Sequence, residues 1–170
     1  MHLRAVTIGN EEIEFLADAL QEYYQLLHLD LAQNRIEGTR GGAAIARILS
    51  RSMKKRGGED LIYLDLARNA LSDGGFAAIN HQILVSDAQI ETINFAHNGI
   101  TEIRLFVALD AFQERIYSVI NLILDGNDFK YYTYGRLASL MAHATPLESV
   151  SFSRCKLGND GFVMVFEALN

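Results

Sequence analysis

The side chains in this chain best equipped for chemistry fall in short stretches that look alike. Asp30 follows His28 by two residues in "HLD", and Asp65 follows Tyr63 by two in "YLD". A carboxylate pair beside an imidazole is the equipment of general acid–base work, one group holding the proton that another moves. Arg68, Asn94 and His97 add a cation, an amide and a second imidazole at corresponding places downstream. Metal chemistry has less to work with. The five histidines show no HExxH spacing, and a single cysteine excludes a CxxC pair. "RGG" and "DGG" lack the remainder of a phosphate-cradling loop and read as glycines at helix starts.

The elements that position these residues repeat. In "LLHLDLAQNRI", Leu26 to Ile36, aliphatics fall at steps one, four, six and eleven and an Asn at step nine. "LIYLDLARNAL", "IETINFAHNGI", "VINLILDGNDF" and "LESVSFSRCKL" keep the same steps, so step nine is Asn34, Asn69, Asn98, Asn127 and Cys155 in turn. A weaker copy, "LRAVTIGNEEI", places Leu3, Val6 and Ile8 at steps one, four and six and Glu11 at step nine. The centre of each copy alternates as a strand with one buried face does. Step nine is where the chain turns away from the strand, and a buried turn leaves backbone groups unpaired. An amide that both donates and accepts can satisfy them from one copy to the next. Cys155 fills the same slot, so a buried structural thiol is expected rather than a reactive one.

Between the strands the apolar spacing turns helical: Ile45, Ile48 and Leu49; Phe76, Ile79 and Ile83; Leu105, Leu109 and Phe112; Leu137, Leu140 and Met141; then Phe162, Val165, Phe166 and Leu169. Ser72 or Asp73 is placed to cap the second of these. A strand and helix too small to fold alone stack against like neighbours.

This pattern, with Gly75 and Gly161 six residues after step nine, resembles the leucine-rich repeat family of the long, ribonuclease-inhibitor type. The resemblance covers nearly all of the chain. It implies an α/β solenoid, a horseshoe arc of about five to six repeats with parallel strands on the concave side and helices on the convex side. Residues 1–25 would be an atypical capping repeat and residues 26–170 five full repeats in a single domain. The concave face would then carry step three (Ala5, His28, Tyr63, Thr92, Asn121, Ser149), step five (Thr7, Asp30, Asp65, Asn94, Ile123, Ser151) and step eight (Asn10, Gln33, Arg68, His97, Gly126, Arg154).

On such a face Asp30 and Asp65 become lateral neighbours, and an open sheet gives little shelter from water. They read as an acidic spot for a basic partner surface rather than as a catalytic dyad. The function expected is recognition of another protein without catalysis, cofactor or metal, through His28, Asp30, Tyr63, Asp65, Arg68, Asn94 and His97. On this reading Asp65→Arg abolishes partner capture and leaves melting unchanged. A convex contact is expected at Tyr131, Tyr132 and Tyr134, and Lys54, Lys55 and Arg56 read as a solvated helix end. The apolar face of the last helix, ending at Asn170, is expected to drive self-association through the fifth repeat.

Stand-alone chains of this style are similar to leucine-rich effectors that intracellular bacterial pathogens deliver into host cells. Two alternatives stay open: a regulator of a small GTPase, and a sensor fragment of a larger repeat receptor. A net charge of -6 argues against nucleic acid, and no apolar run is long enough to span a bilayer. The single cysteine suits a reducing, cytoplasmic setting.

Overall fold

Alternation over HLD, YLD, TIN, NLI and SVS produces five short strands, β1 (His28–Asp30), β2 (Tyr63–Asp65), β3 (Thr92–Asn94), β4 (Asn121–Ile123) and β5 (Ser149–Ser151). Among the described residues the helices with full bounds are α1 (Asn10–Ala19), α2 (Gly38–Ser52) and α3 (Ser72–Val85). These belong to a computed structural model that describes residues 1–20, 26–52, 61–85, 90–101, 119–129, 135, 142, 147–156, 158–160 and 163. The helical spacings expected over 105–112, 137–141 and 162–169, the Lys54 to Arg56 cluster, the three tyrosines at 131, 132 and 134, and the self-association face lie outside those residues.

The strands form one parallel sheet in chain order, β1-β2-β3-β4-β5. Register pairs like with like: His28, Tyr63, Thr92, Asn121 and Ser149 lie side by side, and so do Asp30, Asp65, Asn94, Ile123 and Ser151. The longer first interval leaves this register intact, because its extra residues fall between strands. The ladder also runs past the strand ends. Step-six amides donate to the next step-five carbonyl, Leu31 to Asp65 at 2.8 Å and Phe95 to Ile123 at 2.8 Å. Step-eight amides donate to the next step-seven carbonyl: Gln33 to Ala67, Arg68 to Ala96 and His97 to Asp125, at 2.7, 2.8 and 2.7 Å.

The first copy sits in a different register from the one expected. His2 bridges Asp30 in parallel, Leu3 N–H donates to the Asp30 carbonyl, and Ala5 N–H donates to that of Ala32. Leu3, Val6 and Ile8 therefore stand at steps six, nine and eleven. Steps one, four and six share the spacing of six, nine and eleven, three then two, although the observed placement puts Val6 where the other copies carry Asn or Cys. Glu11 lies in the first turn of α1 rather than at a turn between elements. In consequence His2 stands at step five and Arg4 at step seven, and Ala5, Thr7 and Asn10 leave the columns assigned to them.

Step nine holds the copies together. Asn69 Nδ2 donates to the carbonyls of Leu66 in its own copy and Leu31 in the one before, both at 3.0 Å, while its Oδ1 accepts from Ile36 N–H at 3.1 Å. Asn98 donates likewise to Phe95 and Leu66, and Asn127 to Leu124 and Phe95. Cys155 continues the row with its thiol on the Leu124 carbonyl at 3.2 Å. Asn34 begins it, donating to Leu31 and Leu3 and accepting from Val6 and Ile8. All five side chains are buried.

The helices cover one face of the sheet. Ile45, Ile48 and Leu49 of α2 and Phe76 and Ile79 of α3 share a core with Leu29, Leu64, Ile93 and Leu122, and Phe76 meets Phe95 edge-on at 4.9 Å between ring centroids. α2 and α3 approach closely where Gly42 faces Gly75; a Cβ on Gly42 would lie 2.3 Å from the Gly75 Cα. Arg40 clasps Glu14 at 2.8 and 2.7 Å, and Arg47 reaches Asp18 at 3.1 Å, tying α2 to α1. Asp73 sits in the first turn of α3, where its carboxylate accepts the Thr101 N–H and hydroxyl at 2.7 and 2.6 Å. Among the described residues no helix is long and apolar enough to cross a membrane.

Removing a step-nine amide strands buried carbonyls on two copies at once. Asn69→Ala and Asn98→Ala should each cost about 1–3 kcal/mol in urea unfolding; midpoints equal to wild type would mean the amides are dispensable. Gly42→Ala should cost about as much by forcing α2 from α3.

Candidate functional site

The candidate site is the sheet face opposite the helices. Asp30 and Asp65 are neighbours there, but they are not open to a partner: they are 7% and 2% exposed. Arg4 covers them. Its Nε donates to Asp30 Oδ2 at 3.0 Å and its Nη2 to Asp65 Oδ2 at 2.5 Å. The other oxygen of each carboxylate accepts the amide two residues on, Ala32 at 3.1 Å and Ala67 at 2.9 Å, and the Tyr63 hydroxyl donates to Asp65 at 3.2 Å. Every carboxylate oxygen of the pair is thus engaged, in keeping with the rule that buried charge persists only when paired and hydrogen-bonded. The acidic spot expected for a basic surface is closed by the chain's own arginine.

Shifts in acidity follow from the same geometry. The hydrogen bond to Asp30 and the charges of both carboxylates hold the Arg4 guanidinium above its already high value, so it stays a cation. Burial, then the Asp65 charge, pushes the Tyr63 phenol up, which keeps it a donor. The consequence for Asp65→Arg is opposite to the sequence expectation. It would set a guanidinium against Arg4 in a buried place and strip the Ala67 amide of its acceptor.

The other residues on this face divide by exposure. His28 is exposed, its ring 5.9 Å from that of half-buried Tyr63 and tilted by 50°. Arg68 is exposed; Asn94 and His97 are half-buried. Asn94 Oδ1 accepts the Ala96 amide at 3.0 Å, closing the same turn that Asp30 and Asp65 close. Step five therefore serves the strand end before it serves any partner. Step eight has a different constraint. Gln33, Arg68, His97, Gly126 and Arg154 all adopt positive φ, at 59°, 57°, 54°, 67° and 58°. Left-handed backbone costs a side-chain-bearing residue on the order of 1 kcal/mol and persists where surrounding structure over-determines it. Here the step-eight amide bonds of Gln33, Arg68, His97 and Gly126 supply that restraint.

Three contributors are not among the expected contact residues, Gly126 standing in the step-eight column without a role. Arg4 has no place in the expected columns, because the first copy stands five steps from the register its apolar pattern suggests. Asp125 accepts the Ser151 hydroxyl at 2.6 Å and the Ser153 amide at 2.8 Å. Gly126 makes room for His97: a Cβ there would lie 2.2 Å from the imidazole. A glycine in a column of larger residues was the available signal, and it specifies a seat for a ring.

Cys155 is 1% exposed, and desolvation pushes its thiol up. Among the described residues no three His, Cys, Asp or Glu side chains are grouped so as to hold a metal ion. Protein-family models and curated proteins give no match to this chain.

Arg4→Met should lower stability by about 1–3 kcal/mol, the part-exposed guanidinium limiting the loss, and Asp65→Arg should abolish cooperative melting; unchanged melting of both would refute the buried cluster. Cys155 should resist alkylation at pH 8 until denaturant unfolds the chain. Since its folded thiol holds a proton that the unfolded chain releases near the ordinary value of about 8.5, stability should fall as pH rises past that point. Cys155→Ala should lessen the fall.

Proposed function

We propose that this chain is a leucine-rich repeat solenoid of the ribonuclease-inhibitor type and that its strand face, the concave one, recognises a partner protein. What supports the architecture is the ladder at step nine together with a register that stacks every copy on the next. What carries the functional reading is the step-eight row. Its side chains leave a backbone already locked into the ladder, so little conformational entropy remains to be lost when a partner arrives.

Aromatic and charged anchors on a stiff surface supply most of the energy of recognition. His28, Tyr63, Arg68 and His97 fill that role here. Asp30 and Asp65 are supporting residues, holding the strand ends and the Arg4 side chain that covers them.

The test is partner capture, with chemical cross-linking to identify the bound protein. Tyr63→Ala combined with His28→Ala should weaken binding about tenfold or more, with melting lowered only slightly. Arg40→Ala, on the helix side, should leave binding intact. The opposite pattern, binding lost with Arg40 and kept without His28 and Tyr63, would place the interface on the helices and end this reading.

A further inference from the structure

We propose, resting on the reading that the strand face binds a protein, that the segment it takes is an acidic, extended one laid across the strands along the step-eight row. The chain as a whole is acidic, with a net charge of -6. The charges displayed along this row have the opposite sign. Arg68 and Arg154 are exposed, and neither pairs with a carboxylate among the described residues. The carboxylates on the same face are recessed or engaged: Asp30 and Asp65 lie beneath Arg4, and Asp125 accepts from Ser151 and Ser153. An approaching chain therefore meets guanidinium groups first.

Between the two arginines the His97 ring is seated over Gly126, a placed imidazole in the same row. Arg154 also borders an open depression of about 420 Å³ lined by residues from Val150 to Lys156, including Ser151 and Ser153, which gives a side chain room to reach it.

Spacing sets the form of the ligand. Three strand intervals separate Arg68 from Arg154, about 14 Å at the usual separation of parallel strands. An extended peptide rising about 3.3 Å per residue covers that distance in about four residues. Two acidic side chains four positions apart thus meet both arginines, with the peptide passing His97 between them. Nucleic acid fits less well, because its affinity is built from many phosphate contacts and a row with two arginines on an acidic chain offers few.

Selection from a displayed library of random 12-residue peptides tests this directly, followed by titration of the enriched peptides and of a 20-nucleotide single strand. The expected result is enrichment of Asp and Glu, with pairs about four positions apart, and affinity that falls with salt. Arg68→Glu with Arg154→Glu should cost about tenfold or more, while Arg47→Glu on the helix side changes nothing. Enrichment of basic or apolar peptides that still require Tyr63 would overturn the acidic assignment and leave the strand-face reading standing. Tighter binding of the oligonucleotide than of any peptide would overturn it in favour of nucleic acid. Peptides that bind regardless of Tyr63, Arg68 and Arg154, or no enriched peptide at all, would overturn the proposal and the strand-face reading together.

Discussion

One hydrogen-bonded contact recurs through the molecule and the rest is arranged around it: a buried amide at the strand-to-turn corner that serves two neighbouring copies at once. Asn69 bonds to carbonyls at 31 and 66, Asn98 to 66 and 95, and Asn127 to 95 and 124. A three-residue strand has too few ladder bonds to hold register alone, and a turn buried between neighbours cannot turn to water. The amide resolves both difficulties. Because each Asn spans two copies, the register of one strand is passed to the next, and like residues come to lie in columns. Cys155 continues the row as a donor, its thiol on the Leu124 carbonyl at 3.2 Å.

Regular stacking has an electrostatic consequence. Repeating Asp at step five in consecutive copies places two carboxylates side by side, a costly arrangement once water is excluded. Arg4 from the preceding copy resolves it by donating to both, and the Ala32 and Ala67 amides absorb the remaining oxygens. The pair is thereby converted from a reactive or adhesive feature into a structural one, at the cost of burying ions. The face that remains displays imidazole, phenol and guanidinium groups. Asp30 and Asp65 are buried in this face while Arg68 and Arg154 are exposed on it.

Rigidity and display are linked through step eight. Positive φ is tolerated there by Gln33, Arg68, His97 and Arg154 without glycine's freedom, and the amides of the first three are fixed to the next copy. The one glycine in the column serves a neighbour instead, its missing Cβ giving the His97 ring its seat. Backbone strain, ladder bonding and side-chain placement are one arrangement at these positions.

The strands, the buried face of α2 and α3, and the step-nine corner were legible in the sequence, since each rests on a local period repeated several times; the parallel order of the strands was implied by the repeat resemblance. Period determines which residues share a face and which recur at a turn. What the period could not resolve was the first copy, where the three-then-two spacing of Leu3, Val6 and Ile8 occurs in both registers, neither with an amide at step nine, and the bonds to Asp30 and Ala32 choose between them. That choice moved Arg4 over the acidic pair and closed it. Side-chain partners 61 residues apart, such as Arg4 and Asp65, leave no periodic trace. Columns are a property of the repeat, but whether a charge in a column faces solvent or a salt bridge is decided by what the fold lays across it.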